Sequence, residues 1–458
     1  MNYPFWNIPY IGSGWVIGMI AIFHVMISQF AVGGGLYLPM AERKALKEGR
    51  EDWLVQLVGH SKFFLILTGV FGTVSGVGIW FAIGLTHPEG TSALIHNFVF
   101  GWAMEWVFFL VELATAAVYY YTWNRIDPKL HLKVGWVYAG ASAATLIIIN
   151  GILAFMLTPG DTWIGVAGTG HEASKFWNAF FNPTYWPSLG LRACVCISLA
   201  GIWALITSSR IDGEAQPELK ESLVKWSVKW LVPSFLATPF LLMWYLWMVP
   251  DSQRALLSLG IDTIGSGTFS QVTRIALIIV LTSATIIGVA YFLAYRTPLE
   301  FNLSHALAVL LLALIATASG EYAREMLRKP YVIGRYMYSN GVRVSYVPKI
   351  NQAGYLATSE WVWNGSSTHY SRGEALFRGE CGSCHTLDGY RPLTSLLAGR
   401  DRTNIQNFVT MLHEYKADSP YRKFMPPMVG TQQDIVDLTD YLNAQVNPGG
   451  DKVTTARK

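Results

Sequence analysis

Ala21-Ile22-Phe23-His24-Val25-Met26 decides what kind of protein this is. The six residues lie inside an apolar run, 13–39, that is longer than the roughly 20 residues needed to cross a bilayer. His24 comes about eleven residues into the run. At about 1.5 Å per residue it lies roughly 16 Å down, near mid-membrane. Further runs of the same kind follow at about 62–85, 97–123, 134–157, 187–207, 223–249, 272–295 and 299–317. The expected fold is therefore all-α, a polytopic transmembrane bundle of about eight spans. Composition agrees: the 458 residues are 52% hydrophobic and only 14% charged, where soluble domains are about a quarter charged. A formal net charge of +4 is too small to imply a nucleic-acid partner. The partner implied is a lipid bilayer. No cleavable leader is evident, so the first span is expected to serve as a retained anchor.

The loops give the orientation. Arg43, Lys44, Lys47 and Arg50 follow span one, Arg125, Lys129 and Lys133 follow span three, and Arg210 and Lys220 follow span five. The loop between spans two and three has no Lys or Arg, and that between four and five has only Lys175. Positive loops stay in the cytoplasm, so the N-terminus is outside, and eight spans return the C-terminus to the outside. A basic cluster after the last span, Arg324, Arg328, Lys329 and Arg335, lies on the opposite side to that rule. It either binds an anionic group such as haem propionates or forms a solvated face.

The C-terminal region carries Cys381-Gly382-Ser383-Cys384-His385. Two cysteines two residues apart, followed at once by histidine, form the attachment signature of a c-type haem. Each thiol adds to one vinyl group, and the next side chain falls where imidazole ligates the iron. A Cys-x-x-Cys pair also serves redox or zinc sites. The adjacent histidine and a downstream methionine favour haem. Met425, in Phe424-Met425-Pro426-Pro427-Met428, is the candidate sixth ligand, with Met428 as the fallback; a thioether opposite histidine raises the iron's potential. From about 366 to 447 the chain reads as a small class I cytochrome c domain with one covalent haem c. Haem c is attached outside the cytoplasm, which agrees with the topology from the charges. The domain plan is then 1–335 in the membrane, 336–365 as an ordered linker, 366–447 as the cytochrome c domain and 448–458 as a flexible tail. Cys194 and Cys196, on different faces of one helix, read as core residues.

Ionisable groups inside a bilayer are costly, so each is a candidate functional site. His24 is either a haem ligand or a hydrogen-bonding partner of a neighbouring helix. Glu105 and Glu112, seven apart on one face of span three, suit proton transfer or haem contact, or are protonated acids bonded between helices. Glu321 and Glu325 lie four apart at the outer end of span eight beside Arg324 and Arg328, as in a ligand cluster or a salt-bridged helix end. His60 and His305, near the cytoplasmic ends of spans two and eight, are a candidate bis-histidine pair or two interfacial histidines. His87 and His96 read as solvated residues of an outer loop.

At these residues the membrane half, 1–335, resembles subunit I of the cytochrome bd quinol oxidases. The resemblance rests on the histidine-centred first span ending in Met40-Ala41-Glu42 and on the Gly-rich Thr68-Gly69-Val70-Phe71-Gly72. It also rests on Glu105…Phe108-Phe109-Leu110…Glu112 with Trp123 and Arg125, and on Glu325-Met326-Leu327-Arg328-Lys329-Pro330-Tyr331. It implies that His24 and Glu325 are axial ligands of two non-covalent haems, of b or d type. It implies that Glu105 and Glu112 feed protons to an oxygen-reducing centre; their spacing differs from the family's by one residue. Three departures matter. The family's low-spin haem b is held by a histidine and a methionine where Arg192 and Ala276 stand here. Its long quinol-binding loop is replaced by residues 250–271. Its ninth span is replaced by the haem c domain. Arg192 is always protonated and cannot ligate iron, but it suits a propionate or carboxylate partner. The resemblance and departures together imply a bd-like membrane haem oxidoreductase of the bacterial inner membrane. It would pass electrons between haem c on the periplasmic side and buried high-spin haems, with oxygen as an acceptor. The alternative is an electron-transfer subunit of a larger respiratory complex that relays electrons between quinone or partner cytochrome subunits and haem c. A passive haem-bearing membrane anchor is a third class, disfavoured by Glu105 and Glu112.

Overall fold

The computed structural model describes residues 6–250, 254, 271–360 and 371–448. Most of the 250–271 loop, the chain at 361–370 and the tail from 449 lie outside the described residues. Eight helices among the described residues are long and apolar enough to cross a membrane. They are α1 Ser13–Glu48, α2 Glu51–Thr86, α3 Pro88–Tyr121, α4 Pro128–Leu157, α5 Tyr185–Ser209, α6 Pro217–Met248, α7 Thr273–Tyr295 and α8 Leu303–Arg328. In lipid every backbone polar group must be satisfied within the element, and helices do this span by span. The helices run past the apolar runs that announce them. α2 starts eleven residues before the run at 62, and α8 continues through Glu321 and Glu325 to Arg328. Those two carboxylates are thus held at i,i+4 on a rigid helix.

Lipid gives helices no hydrophobic reason to associate, so small residues that allow close packing do the work. α1 is the hub. A Cβ added at Gly33 would collide with the Cys196 carbonyl oxygen of α5, and one at Gly34 would collide with the Phe64 ring of α2. α5 is the inner helix, with 61% of its apolar stretch buried. Cys196 is buried there and Cys194 half-buried. α2 contains a π-helical turn at Leu67–Gly72, a feature common near functional sites. The turn sets the register of Ser75 and Gly76 just after it.

Beyond α8 the chain makes a two-stranded hairpin, β1 Tyr331–Ile333 and β2 Met337–Tyr338, then short helices α9 Val347–Ala353 and α10 Tyr355–Thr358. The C-terminal module follows, with α11 Arg372–Leu376, α12 Arg402–Glu414 and α13 Gln432–Val446 as its main helices. Its core joins Leu376, Ile405, Val409, Ile435 and Leu438 to Tyr338, Val342, Ile350, Tyr355 and Leu356. The described part of 336–365, expected as a linker, therefore contributes wall to the module rather than mere length. The reason is chemical. Asp434 in α13 is fully buried, and its carboxylate accepts from Tyr355 N at 3.1 Å and Thr431 N at 2.9 Å, with Arg372 at 2.9 Å. A buried carboxylate needs all of these donors.

The contact at Gly33 is with backbone, which no rotamer change relieves. Gly33→Val should destabilise the bundle by at least about 1–3 kcal/mol. A thermal melt of the detergent-solubilised variant that matches the parent would contradict this packing.

Candidate functional site

A chamber of about 1010 Å³ runs from the middle of the bundle into the C-terminal module. Eleven of the site residues singled out in the sequence line it: His24, Glu105, Glu112, Arg192, Glu321, Glu325, Arg328, Cys381, Cys384, His385 and Met425. His60 and His305 do not. His60 hydrogen-bonds Thr207 of α5 at 2.6 Å, and His305 closes the N-cap of α8 with Asn302. The structure does not bring them together as a pair.

The histidine tautomers follow from their partners. The Ser75 hydroxyl donates to Phe71 O at 2.5 Å, so its oxygen accepts from His24 Nδ1 at 2.9 Å. One hydroxyl has one proton. Nε2 of His24 therefore keeps a free lone pair, the form that binds iron. A Cβ at Gly76 would lie 3.3 Å from His24 Cε1, so the imidazole rests against the α2 backbone. His385 Nδ1 lies 2.9 Å from Arg391 O. A carbonyl only accepts, so Nδ1 carries the proton and Nε2 is again free. Such outer hydrogen bonds orient ligand imidazoles. Met428 is 5% exposed within the module's core and Met425 is half-buried with its carbonyl accepting from Tyr415 at 3.1 Å; both line the chamber.

Glu112 is 2% exposed and accepts from the Ser142 hydroxyl of α4 at 2.5 Å. Glu105, one heptad nearer the start of α3, is half-buried. At the C-terminal end of α8, Glu321 pairs with Arg324 at 2.9 Å and with Arg192 of α5 at 3.5 Å. Glu325 pairs with Arg328 and, at 3.5 Å, with Lys329. Four cations face two carboxylates here, and Arg192 Nε, Arg324 Nη1 and Arg328 Nε have no partner among the described residues. Arg324, Arg328 and Lys329 of the basic cluster that departs from the topology rule thus form part of the chamber wall, whereas Arg335 pairs with Asp161. Buried cations in surplus call for an anionic ligand. Lys329 Nζ also lies 3.7 Å from Cys384 Sγ. Burial pushes the Cys384 thiol up, but the Lys329 ammonium and the Ser383 and Ser339 hydroxyls bring it below its usual value. Burial and the neighbouring Glu380 push Cys381 up.

Two features go beyond the sequence reading. His87 is no solvated loop residue: its Nε2 lies 3.1 Å from Ser339 O and its ring lines the chamber. His96 is exposed but belongs to α3. At the opposite ends of the helices, Glu42, Tyr119 and His131 form a buried network. His131 Nδ1 meets Glu42 Oε1 at 2.7 Å, its Nε2 donates to Tyr119 O at 2.9 Å, and the Tyr119 hydroxyl donates to Glu42 Oε2 at 2.8 Å. The signal for it is one of spacing, Glu105-Glu112-Tyr119 on α3 and His131-Tyr138-Thr145 on α4, each in steps of seven.

A helical membrane bundle with imidazole, carboxylate and guanidinium groups on one buried chamber is the architecture of a membrane haem protein. Residues 13–255 match the family model of cytochrome bd terminal oxidase subunit I, which is more than half of the 458 residues, and the chain belongs to that family. Membership implies b- and d-type haems and a multi-pass place in a respiratory membrane. Over 172 residues it is 26% identical to a Bacillus subtilis (strain 168) protein with the provisional description cytochrome bd menaquinol oxidase subunit I. That match covers 37% of this chain and 37% of the relative, so the chain matches little more than a third of that protein's length. The bd oxidase of Geobacillus thermodenitrificans has a similar fold, with a TM-score of 0.60 at 16% identity, over 71% of this chain and 88% of that one.

The Glu42 network makes a clear prediction. His131→Ala leaves Glu42 buried without its imidazole and should destabilise the protein by about 3–5 kcal/mol. His131→Gln, which keeps a donor, should lose less. Equal melting temperatures for the two variants would show that the hydrogen bond is not what matters.

Proposed function

We propose that this chain is a bd-like membrane haem oxidoreductase that takes electrons through a covalent haem c and passes them to haems inside the membrane chamber. The observation that carries the reading is the chamber itself, which holds the haem c motif and the intramembrane ligand candidates in one continuous volume. Bound haem supplies one-electron chemistry and, at an open iron position, a place for oxygen. Cys381 and Cys384 would hold haem c, with His385 and Met425 as its ligands. His24 and Glu325 would each hold one of two non-covalent haems. Arg192, Arg324, Arg328 and Lys329 would bind propionates, and Glu105 and Glu112 would hold and move protons. The family's low-spin haem does not fit here: Arg192 is ion-paired with Glu321, and Ala276 offers no donor atom. With residues 250–271 in place of the family's quinol loop, electrons would enter from outside through haem c. The orientation puts both termini on the periplasmic side of a bacterial inner membrane, where partner cytochrome subunits are the expected donors.

The pairing of Glu325 with Arg328 and Lys329 favours a second reading. A carboxylate so engaged leaves the iron to other ligands, and the chain would relay electrons between quinone or cytochromes without binding oxygen. A carbon-monoxide difference spectrum of the reduced protein separates the two, because carbon monoxide binds only an open iron position. A spectrum without change would overturn the oxidase.

Ligand assignments are tested by composition. Met425→Ala should lower the haem c potential and remove the sulfur-to-iron band. If Met428→Ala does this instead, the sixth ligand is misassigned. His24→Ala and Glu325→Ala should each cost about one non-covalent haem per chain, and unchanged haem-to-protein ratios in both would sink that assignment.

A further inference from the structure

The haem c motif loop is held to the membrane half by more than its chain connection. Tyr390 N donates to Tyr10 O at 2.7 Å. Gly389 lies so close that an added Cβ would fall on that same oxygen. A Cβ on Gly14, in the first turn of α1, would lie 3.1 Å from the Ser383 carbonyl between the two cysteines. The Trp15 ring meets Tyr390 edge-on at 5.7 Å. From the other side, Lys329 at the end of α8 reaches Cys384. Tyr10 and Arg391 both have left-handed backbone, at φ 63° and 47°. Non-glycine residues hold that conformation only where the surroundings fix them. The Tyr10 carbonyl so placed accepts from Tyr390, and the Arg391 carbonyl accepts from His385. A backbone approach this close does not slide, and lifting the loop would open the chamber to water.

We propose that Tyr10, Gly389 and Lys329 are positioning residues that lock the motif loop onto the outer ends of α1 and α8. The electron then leaves the C-terminal module through a fixed contact, not through the excursions of a tethered carrier. The proposal rests on the haem c reading above. The step balances as one electron: the haem c iron goes from ferrous to ferric, an acceptor haem iron in the chamber from ferric to ferrous. An external one-electron donor restores haem c, and no atom changes place.

The test is hydrogen exchange, followed by mass spectrometry, on the full haem-loaded chain in nanodiscs. The Tyr390 amide of the parent should exchange at least about a hundredfold slower than an open amide. Gly389→Ala, whose methyl falls on the Tyr10 carbonyl, should speed it about tenfold, a loss of about 1.4 kcal/mol. The haem c absorption should stay intact in that variant, while electron transfer out of haem c becomes slower and sensitive to viscosity. If Gly389→Ala does not fold, Trp15→Leu removes only the ring contact and should give the same changes at smaller size. A Tyr390 amide that exchanges freely in the parent overturns the lock. Absence of haem c from Cys381 and Cys384 would overturn the function reading instead, and the amide would still report on the docking.

Discussion

Charge balance at the C-terminal end of α8 is the constraint on which the rest of the chamber depends. Four cations and two carboxylates are gathered where lipid, protein and the C-terminal module meet. The Arg192–Glu321 pair ties α8 to the inner helix α5, and Lys329 ties α8 to the motif loop. Taking charges out of water is costly, and attraction within such a cluster offsets only part of it; Arg192 and Arg328 are buried, while the Glu325 side chain stays 40% exposed. The surplus of cations gives the chamber a positive wall toward which an anionic cofactor would be drawn. α8 is the element that membrane helices and C-terminal module both lean on.

The opposite end of the bundle follows a different rule. Glu42, Tyr119 and His131 satisfy one another, so these ends of α1, α3 and α4 are closed by a hydrogen-bonded network. Between that network and the chamber, Tyr138 and the Glu112–Ser142 pair continue the polar seam between α3 and α4. A polar seam through an apolar bundle is costly to keep in lipid, and such residues are ordinarily functional.

Much of this is legible along the chain. Span positions follow from long apolar runs, and the site residues can be named singly because an ionisable side chain is too costly in lipid to be there by chance. Their convergence on one chamber is not legible, since Arg192 meets Glu321 across more than a hundred residues. His87 reads as solvated because nothing local announces Ser339 as its partner. His131 is not singled out by the sequence, because its partner Glu42 lies 89 residues away. Residues 336–360 read as a linker because Tyr, Asn and Gly suit open chain; only the buried Asp434 shows why Tyr355 and its neighbours are needed. The Gly389 contact is invisible in the same way, being an approach of backbone to backbone.

Asp434 has a practical consequence for anyone wishing to isolate the C-terminal module. Cutting the chain at 366, where the cytochrome-like sequence begins, would remove the Tyr355 amide from a fully buried carboxylate. It would also strip Ile350 and Leu356 from a shared apolar core. A soluble fragment with an intact core has to start upstream of Tyr338, at the foot of the hairpin. The unit that folds is longer than the unit that looks like a cytochrome.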